Sequence, residues 1–430
     1  MNLKNRTIFT YDNLPILRGI NSDCIDLIYL DPPFNSNRNY AAPIGTPAEG
    51  AEFKDIWTLD DVKNEEHGEI ADKNPALYQA ISAAELTHSK SMKAYLIMMA
   101  VRLTEMHRIL KPTGSIYLHC DPTASHYLKL VMDSIFGKDN FRNEIIWSHQ
   151  GTWIQPDNKY PRRHDTLLFW TKTSNYLYNM IYNNDAQEQV NFKRWRKYIH
   201  EYNIYGRNMP SHDKRFKTYL DKFIKLHGRD PNDDDIVLEI KGTRMGTVQY
   251  IKSIDPKTPE KTGYPTQKPL ALLHRIISAS SNPNDIVLDP FCGCATTCIA
   301  AQDLNRQWIG IDISPKAVEL VKMRMERDLG LFITGDLAPV HRTDIPTRTD
   351  IDQLPHYRTH KHELYGKQEG ICNGCDIHFL FPNLDVDHIV PQSKGGLDHI
   401  SNLQLLCTAC NRLKGTGTMA ELKTKLKTDN

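Results

Sequence analysis

IDLIYLDPPF, residues 25–34, opens with a short apolar run that is typical of a buried strand. The run ends at Asp31, and two prolines and Phe34 follow at once. Because proline cannot continue a central strand, the strand has to end there. The stretch therefore predicts a strand over residues 25–30 that brings a carboxylate, a stiff backbone and an aromatic ring to one edge of a sheet.

Helices and strands alternate after this strand. Apolar residues at three- and four-residue steps from Met92 to Leu110 predict a helix, and Ser115–Cys120 is typical of a buried strand. A second helix is predicted over residues 123–136, whereas residues 35–90 lack a sustained period and are expected to form a functional loop or lid. The alternation predicts an α/β fold with a doubly wound, mostly parallel sheet, which binds ligands at the carboxyl ends of its strands.

The same alternation resumes near residue 264. A helix is predicted after Pro269, a strand over residues 286–288, a further helix around residue 300 and a strand over residues 307–311 that ends at Asp312. Ser314 and Pro315 have the residue types of a helix N-cap and first helical position. Residues 343–362 hold prolines and charges without periodicity, so we expect a linker there.

Composition limits the class of protein. The chain has 430 residues, 40% of them hydrophobic and 24% charged, which is ordinary for a soluble protein of two or three domains. No signal-peptide or membrane-spanning pattern is present, so we expect no membrane partner and a cytoplasmic location. The net charge is only +1, but residues 151–229 hold 15 Lys and Arg against 7 Asp and Glu, interleaved with aromatic residues. This excess favours nucleic-acid binding by that region.

The order of the motifs resembles the β class of amino-DNA methyltransferases, in which the catalytic motif precedes the cofactor motif. DPPF at residues 31–34 precedes DPFCGCATT at residues 289–297. The blocks YDNL, LKPTGSIYLHCD, FRNEIIW, YPTQKP and RQWIGIDIS follow that family's order over residues 8–337. The resemblance implies a Rossmann-like class I methyltransferase fold, S-adenosylmethionine as cofactor and double-stranded DNA as partner.

The DPPF chemistry has a physical reason. The exocyclic amino nitrogen of a base is a poor nucleophile, because its lone pair is delocalised into the ring. The Asp31 carboxylate and the Pro32 carbonyl can each accept one amino hydrogen and so direct the lone pair at a methyl donor. Pro32 and Pro33 hold these acceptors in place, and Phe34 offers a face on which a flipped base can stack. We therefore expect Asp31, Pro32, Pro33 and Phe34 to form the catalytic motif.

The resemblance also implies a set of cofactor-binding residues. Gly293 suits close approach of the backbone to a ligand, and Asp312 is placed to bind ribose hydroxyls. The chain departs from the family at Tyr11 and Ala295, where glycine is usual. The expected cofactor residues are Asp12, Thr266, Lys268, Asp289, Pro290, Phe291, Gly293, Thr296 and Asp312.

The methylated base is constrained in part. A cytosine C5 methylase needs a cysteine nucleophile, typically in a Pro-Cys pair, and none of the nine cysteines follows a proline. The family's DPPF favours adenine N6, and cytosine N4 stays open as the alternative. Residues 150–255, which are basic and aromatic, are expected to recognise the target sequence.

The C-terminal region carries a second set of motifs. Cys372 and Cys375 form one CxxC pair and Cys407 and Cys410 another, a spacing typical of a structural Zn²⁺ site. The segment resembles the HNH, or ββα-metal, endonucleases. The resemblance implies His388 as general base, Asp387 and Asn411 as ligands of Mg²⁺ or another divalent ion, and Asn402 as a brace of the loop that bears the histidine. A zinc-stabilised DNA-binding module without cleavage is the alternative.

The expected architecture is a methyltransferase of the restriction-modification type, bacterial or from a phage, with an appended nuclease. A nuclease that uses a degenerate methylase for targeting is a third hypothesis, which the intact DPPF argues against. Both a homodimer and a separate restriction partner remain open. The expected segments are a catalytic half at 1–149, the target-recognition insert at 150–255, the cofactor half at 256–337, a linker at 338–365 and the HNH domain at 366–430.

Overall fold

The structure is a computed structural model in two compact units, Met1–Leu177 with Tyr250–Asn430, and Tyr178–Gln249. Among the described residues, no helix has the length and apolar character that crossing a membrane requires. The structure describes residues 2–36, 38–62, 66, 69–70, 74–149, 158, 160–183, 187, 189–329, 338–350, 356–394, 398 and 400–428.

The described strands form one large sheet and three small ones. The strands are β1 (Thr7–Thr10), β2 (Ile25–Leu30), β3 (Arg38–Ala41), β4 (Glu52–Asp55), β5 (Leu110–Cys120), β6 (Phe141–Ser148), β7 (His164–Thr171), β8 (Asn203–Tyr205), β9 (Ile236–Glu239), β10 (Val248–Tyr250), β11 (Ile286–Asp289), β12 (Gln307–Asp312), β13 (Val340–Arg342), β14 (Leu384–His388) and β15 (Leu403–Cys407). The large sheet has the order β10-β6-β7-β5-β2-β11-β12-β1-β13. Neighbouring strands from β5 to β13 are parallel, whereas β7 is antiparallel to β5 and to β6.

Helices pack on both faces of this sheet, as predicted. The helices are α1 (Asn13–Gly19), α2 (Pro75–Thr87), α3 (Lys90–Ile109), α4 (Ser125–Phe136), α5 (Val190–Trp195), α6 (Lys217–His227), α7 (Leu270–Ser280), α8 (Thr296–Asp303), α9 (Lys316–Leu329), α10 (Lys361–Lys367), α11 (Thr408–Lys414) and α12 (Met419–Thr428). The predicted cap of α9 is also present, since Ser314 Oγ accepts from the backbone N–H of Lys316 at 3.3 Å.

The central strand β2 explains why its sequence is apolar at almost every position. Ile28 and Leu30 contact the core that α1, α3 and α4 build on one face. Leu27 and Tyr29 contact the core of α7, α8 and α9 on the other face. Because successive side chains of a strand point to opposite faces, only a nearly continuous apolar run can bury both.

The expectation of one irregular loop over residues 35–90 is wrong. Part of the segment forms the antiparallel hairpin of β3 and β4, and α2 packs against α3 and α4. Asn74 caps α2 by accepting from the N–H of Leu77, and Pro75 occupies the first turn. Residues 63–65, 67–68 and 71–73 of this segment lie outside the described residues.

The predicted insert and linker also have structure. The compact unit of residues 178–249 has its own apolar core, built from Trp195, Ile204, Phe216, Phe223 and Val237. By contrast β7, within the expected insert, pairs with β5 in the large sheet. Residues 150–157, at the expected boundary, lie outside the described residues.

Residues 346–350, which follow the last strand of the large sheet, contact the N-terminal part of the chain. Asn2 donates to the carbonyl of Thr347 at 2.7 Å, and Asn21 exchanges two hydrogen bonds with Thr349. Pro346 lies so close to Gly19 that a Cβ there would be 2.0 Å from the proline carbonyl oxygen. The expected linker, residues 338–365, therefore begins with β13 of the large sheet and continues with residues held against the end of α1. Residues 351–355 lie outside the described part of the chain.

The C-terminal region has the expected ββα arrangement. β14 and β15 form an antiparallel pair, and α11 packs against both strands. Leu384, Leu405, Leu406 and Leu422 are fully buried in a separate core.

One backbone feature follows from the departure at Ala295. The residue has a φ of +55° and immediately precedes α8. Left-handed backbone costs a residue with a Cβ about 1–2 kcal/mol, and glycine is free of that cost. Ala300, by contrast, lies inside α8, and both alanines are 0% exposed.

We predict that Ala295→Gly lowers the free energy of unfolding by about 1–2 kcal/mol less than Ala300→Gly does, because glycine relieves backbone strain only at Ala295. Chemical denaturation followed by tryptophan fluorescence compares the two variants. Equal losses would show that the backbone at Ala295 is not strained.

Candidate functional site

One cavity of about 780 Å³ opens at the carboxyl ends of the central parallel strands. It lies where ligands bind in sheets of this kind. Every residue expected from the sequence for this half of the protein lines it. These residues are Asp12, Asp31, Pro32, Pro33, Phe34, Thr266, Lys268, Asp289, Pro290, Phe291, Gly293, Thr296 and Asp312.

Asp31 has one paired and one unpaired oxygen. Its Oδ2 accepts a short hydrogen bond from Nζ of Lys268, a side chain that is also buried. Its Oδ1 is buried and has no hydrogen-bond partner among the described residues. Because a buried acceptor without a donor is costly, this oxygen is a place where a ligand's N–H would be favoured.

Lys268 follows a loop whose backbone is strained. Thr266, two residues earlier, has a φ of +61°, which is unusual for a β-branched side chain. Its carbonyl oxygen accepts from Nζ of Lys268 at 3.2 Å. The ammonium lies 5.4 Å from the centre of the Phe34 ring, so it also makes a cation–π contact beside the expected catalytic motif.

A buried histidine lies behind Asp31. Nδ1 of His119 is 2.9 Å from the Tyr29 hydroxyl and 3.9 Å from Asp31 Oδ1. Nε2 of His119 is 3.3 Å from Oδ2 of Asp165, whose other oxygen pairs with Arg162 at 2.7 Å. Burial opposes ionisation of Asp165, but the hydrogen bond from His119 and the charges of Lys268 and Arg162 hold its pKa below the usual range.

The sequence did not point to this histidine. It lies inside a strand, in SIYLHC, where a core histidine is the ordinary interpretation. Its partner Asp165 comes from β7, which lies in the expected insert. Only the antiparallel pairing of β7 with β5 brings the two side chains together.

Asp12 is held by a buried arginine. Oδ1 of Asp12 caps α1 by accepting from the N–H of Leu14 at 2.8 Å, and it accepts from Arg102 at 2.9 Å. Arg102 also donates to Asn13, which donates to the carbonyl of Pro290 at 2.7 Å. This chain of hydrogen bonds fixes the start of α1 against the DPFCG turn.

The DPFCG turn is stabilised by the carboxylates at its two sides. Asp289 accepts from the hydroxyl of Thr297 at 2.5 Å and from the N–H of Phe291 at 3.1 Å. Burial raises the pKa of Asp289 to about 7, although these hydrogen bonds oppose the shift. Asp312 accepts from the N–H groups of Gly293 and Ser314, each at 2.8 Å.

Gly293 is needed where the turn meets the cavity. It has a φ of +49°, and a Cβ there would lie 2.9 Å from the ring of Tyr264. A side chain at this position would need left-handed backbone and would meet the Tyr264 ring, and glycine avoids both.

The hairpin of β3 and β4 supplies a further residue that the sequence did not indicate. Asp55 accepts from the backbone N–H of Asn35 at 2.6 Å and of Ser36 at 3.0 Å. These residues directly follow the DPPF motif. Asp55 thus fixes the chain that leaves the motif, and the hairpin forms one wall of the cavity.

The four predicted cysteine ligands come together in the C-terminal region. The sulfur atoms of Cys372, Cys375, Cys407 and Cys410 all lie within 4.8 Å of one another. The Cys372 sulfur accepts from the N–H groups of Gly374 and Cys407, at 3.3 and 3.2 Å. Four thiolates at this separation suit a tetrahedral Zn²⁺, whose bonds to sulfur are about 2.3 Å long.

His388 is oriented by a carboxylate. Its Nε2 is 2.7 Å from Oδ1 of Asp398, and its ring lies 4.8 Å from that of Tyr357. Asn402 braces the following loop as expected: its side chain accepts from the N–H of Val390 at 2.9 Å and donates to its carbonyl at 3.0 Å. The ring of His388 is thus held from two sides, by Asp398 at Nε2 and by Tyr357.

The predicted divalent-ion ligand Asp387 already has partners. The buried ammonium of Lys414 lies 3.0 Å from Oδ2 and 3.2 Å from Oδ1 of Asp387, and Gln404 donates to Oδ2 at 2.9 Å. Among the described residues, no group of three or more His, Cys, Asp or Glu side chains forms a metal-binding cluster around Asp387. A divalent ion at Asp387 and Asn411 would have to share this carboxylate with Lys414.

Comparisons with known proteins give the same two parts. A family model described as DNA methylase matches residues 25–323, and one described as HNH endonuclease matches residues 372–417. Type II methyltransferase M.HpaI from Haemophilus parainfluenzae is 26% identical over 323 residues, which are 74% of this chain and 74% of that protein. DNA adenine methyltransferase YhdJ from Escherichia coli strain K12 is 26% identical over 323 residues, 75% of this chain and 82% of that protein.

One solved structure is also similar. The crystal structure of the M1.HpyAVI–SAM complex is 18% identical, with a TM-score of 0.38 over 74% of this chain and 98% of that chain. A TM-score this low supports no conclusion about ligands.

Proposed function

This chain belongs to the DNA methylase family, and we propose that it transfers a methyl group from S-adenosylmethionine to the N6 amino group of a flipped adenine in double-stranded DNA. The observation that carries the proposal is that Asp31 has one paired and one unpaired carboxylate oxygen. One carboxylate oxygen is held by Lys268, and the other is buried without a donor beside the cavity. That oxygen is suited to accept a hydrogen from an amino group.

The cavity residues suit S-adenosylmethionine. Its volume of about 780 Å³ is typical of a small-molecule site. Asp312 ends a parallel strand beside the Gly293 turn, where a carboxylate can bind ribose hydroxyls. Asp12 would contact the adenine amino group, Phe291 would contact the adenine ring, and Thr266 and Lys268 would flank the methionine part. When bound, the cofactor supplies an electrophilic methyl group.

The protein's own groups prepare the amino nitrogen. Asp31 Oδ1 and the Pro32 carbonyl accept its two hydrogens, so that the lone pair points away from the ring plane and towards the methyl group. Phe34 stacks on the flipped base, a contact worth about 1–3 kcal/mol. Lys268 fixes Oδ2 and so orients the carboxylate, because the ammonium is itself buried.

Adenine is the favoured base for two reasons. The motif is DPPF, which in this family favours adenine, and one relative is named a DNA adenine methyltransferase. Cytosine N4 has the same kind of exocyclic amino group and is the alternative.

The unit of residues 178–249 is proposed to recognise the target DNA. It exposes Lys193, Arg194, Arg196 and Lys197 on consecutive turns, with Trp195 buried between them. Exposed cations of this density neutralise phosphates, and Arg reads base edges. Which sequence it reads is a question for binding experiments.

The C-terminal domain is proposed to be a zinc-stabilised HNH endonuclease. The four-cysteine cluster would bind the structural Zn²⁺, and His388, oriented by Asp398, would deprotonate the attacking water. A divalent ion, when bound, would stabilise the charge that develops on the phosphate. The ion pair between Asp387 and Lys414 favours the alternative, a DNA-binding module without cleavage, because it occupies a predicted ligand of the divalent ion.

We predict that Asp31→Asn lowers the rate of methyl transfer by about 100-fold or more, because the negative charge is lost and Lys268 would bind the amide oxygen, which leaves the amide NH2 group, a donor, facing the amino group. Binding of S-adenosylmethionine, measured by calorimetry, should change little, since Asp31 acts on the amino group. The exposed Asp60, changed to Asn, is the matched control and should retain full activity. An equal loss of cofactor binding and of transfer would contradict the role of Asp31.

We predict that His388→Ala abolishes nicking of plasmid DNA in the presence of Mg²⁺ or Mn²⁺ and leaves methyl transfer unchanged, because His388 ends β14 of the C-terminal region and does not line the methylase cavity. Cys372→Ser should remove the bound Zn²⁺ and unfold that core, since structural zinc contributes on the order of 10 kcal/mol to such domains. Plasmid nicking, zinc content and methyl transfer are measured on each variant. If the wild type cuts neither unmethylated nor premethylated DNA, while Cys372→Ser loses DNA affinity, the domain is a binding module.

A further inference from the structure

The buried group that the proposed mechanism leaves unused is His119. It is 0% exposed and lies between Asp31 and Asp165, at the back of the catalytic motif. A buried ionisable side chain beside a reacting carboxylate can serve the reaction itself.

We propose that His119 accepts, through Asp31, the proton that the amino group loses when it is methylated. This proposal rests on the proposed methyltransferase function and adds a route for the proton. His119 does not touch the DNA base in this scheme, and it acts only through the free oxygen of Asp31.

The neighbours of His119 define its tautomer. Burial and the charge of Asp31 raise the pKa of Tyr29, so its hydroxyl stays protonated and donates to Nδ1 of His119. Asp165 is ionised and can only accept, so Nε2 of His119 carries the hydrogen that faces it. When His119 is neutral, Nε2 therefore carries its hydrogen and the lone pair of Nδ1 is its one basic site.

The geometry places that basic site at the end of a short path. Nδ1 is 3.9 Å from the unpaired Oδ1 of Asp31. A shift of about 1 Å brings the two atoms to hydrogen-bond distance. When Asp31 carries a proton, its hydroxyl can replace the Tyr29 hydroxyl as the donor to Nδ1.

The chemistry balances along this path. The carbon–nitrogen bond forms as the carbon–sulfur bond breaks, and the electron pair of the broken bond stays on sulfur. The amino nitrogen then carries a positive charge and one hydrogen too many, which it transfers to Oδ1 of Asp31. Asp31 passes the proton to Nδ1 of His119, and the imidazolium releases it to water once the methylated base has left.

The charges around the ring favour this direction of transfer. Lys268 beside Oδ2 disfavours a proton that stays on Asp31, and the negative charge of Asp165 stabilises the imidazolium. The titratable and charged groups that face or surround His119 are Tyr29 and Asp31 from β2 and the segment that follows it, Asp165 from β7, Arg162 before β7 and Lys268 before α7.

The relay makes the rate of methyl transfer depend on pH. A His119 that is already protonated cannot accept, and its positive charge would draw Oδ1 of Asp31 away from the amino group. The rate under single-turnover conditions should therefore fall on the acid side as His119 becomes protonated.

The test is the pH profile of single-turnover methyl transfer by the full chain, from about pH 5 to pH 9. His119→Asn and His119→Gln keep hydrogen-bonding groups for Tyr29 and Asp165 but cannot take up a proton. We expect methyl transfer by both variants to be slower by about tenfold or more, and its rate no longer to fall at low pH. Tyr29→Phe leaves His119 in place, so the rate of this variant should still fall at low pH.

Asp165→Asn provides an independent readout. It removes the charge that stabilises the imidazolium, so the fall in rate at low pH should occur about one pH unit lower than in the wild type. This result carries the test if both amide variants of His119 fail to fold by circular dichroism. A merely structural role for the His119 site would lower stability or the rate without changing the pH at which the rate falls.

Two outcomes would overturn the relay and are distinct from each other. If the amide variants keep the wild-type pH profile, or if the rate of Asp165→Asn falls at the same pH as that of the wild type, His119 takes no part in proton transfer although the methyltransferase function stands. If the wild-type protein transfers no methyl group to any DNA, the proposed function itself fails, and the relay fails with it.

Discussion

Three carboxylates lie at the ends of three neighbouring strands, and the site depends on each having its own donors. Asp31 ends β2 and is held by Lys268, Asp289 ends β11 and is held by Thr297, and Asp312 ends β12 and is held by backbone N–H groups. Burial raises the pKa of Asp289 to about 7 and that of Asp312 above its usual range, and the hydrogen bonds that these two carboxylates accept oppose the shifts. Their environments are unequal: Asp289 holds the turn through Thr297 and Phe291, Asp312 accepts from two backbone N–H groups, and Asp31 has one buried oxygen without a donor among the described residues, which suits the roles proposed above.

The local parts of this arrangement can be predicted from the sequence. Both strand-end motifs, the cap at Ser314 and the two CxxC pairs are short patterns whose residues also lie together in the structure. Helix α2 was also visible in principle, because Asn74, Pro75 and the buried Leu77 form a start signal followed by an apolar face. The polar residues around it hide this signal from the hydrophobic periodicity.

The long-range parts could not be predicted. Asp165 reaches His119 only because β7 turns back antiparallel beside β5, and nothing in either segment encodes that pairing locally. Similarly, Lys414 follows the second CxxC pair and gave no sign that it would bind Asp387. The sequence thus indicated which residue types carry the chemistry, whereas the partners that tune them came from the fold. The two regions also differ in construction: the cavity lies at the edge of a large sheet, whereas the C-terminal region has a small core of its own beside four clustered cysteines.

The most direct test of the account is to incubate the wild-type protein with unmethylated DNA and S-adenosylmethionine labelled in the methyl group, digest the DNA to nucleosides and identify the labelled base by mass spectrometry. The account predicts label in N6-methyladenine and in no other nucleoside. Label in N4-methylcytosine would show that the methyl group is transferred to the N4 amino group of cytosine, the alternative substrate. An absence of label from all nucleosides, with a protein that binds the cofactor, would contradict the methyltransferase function.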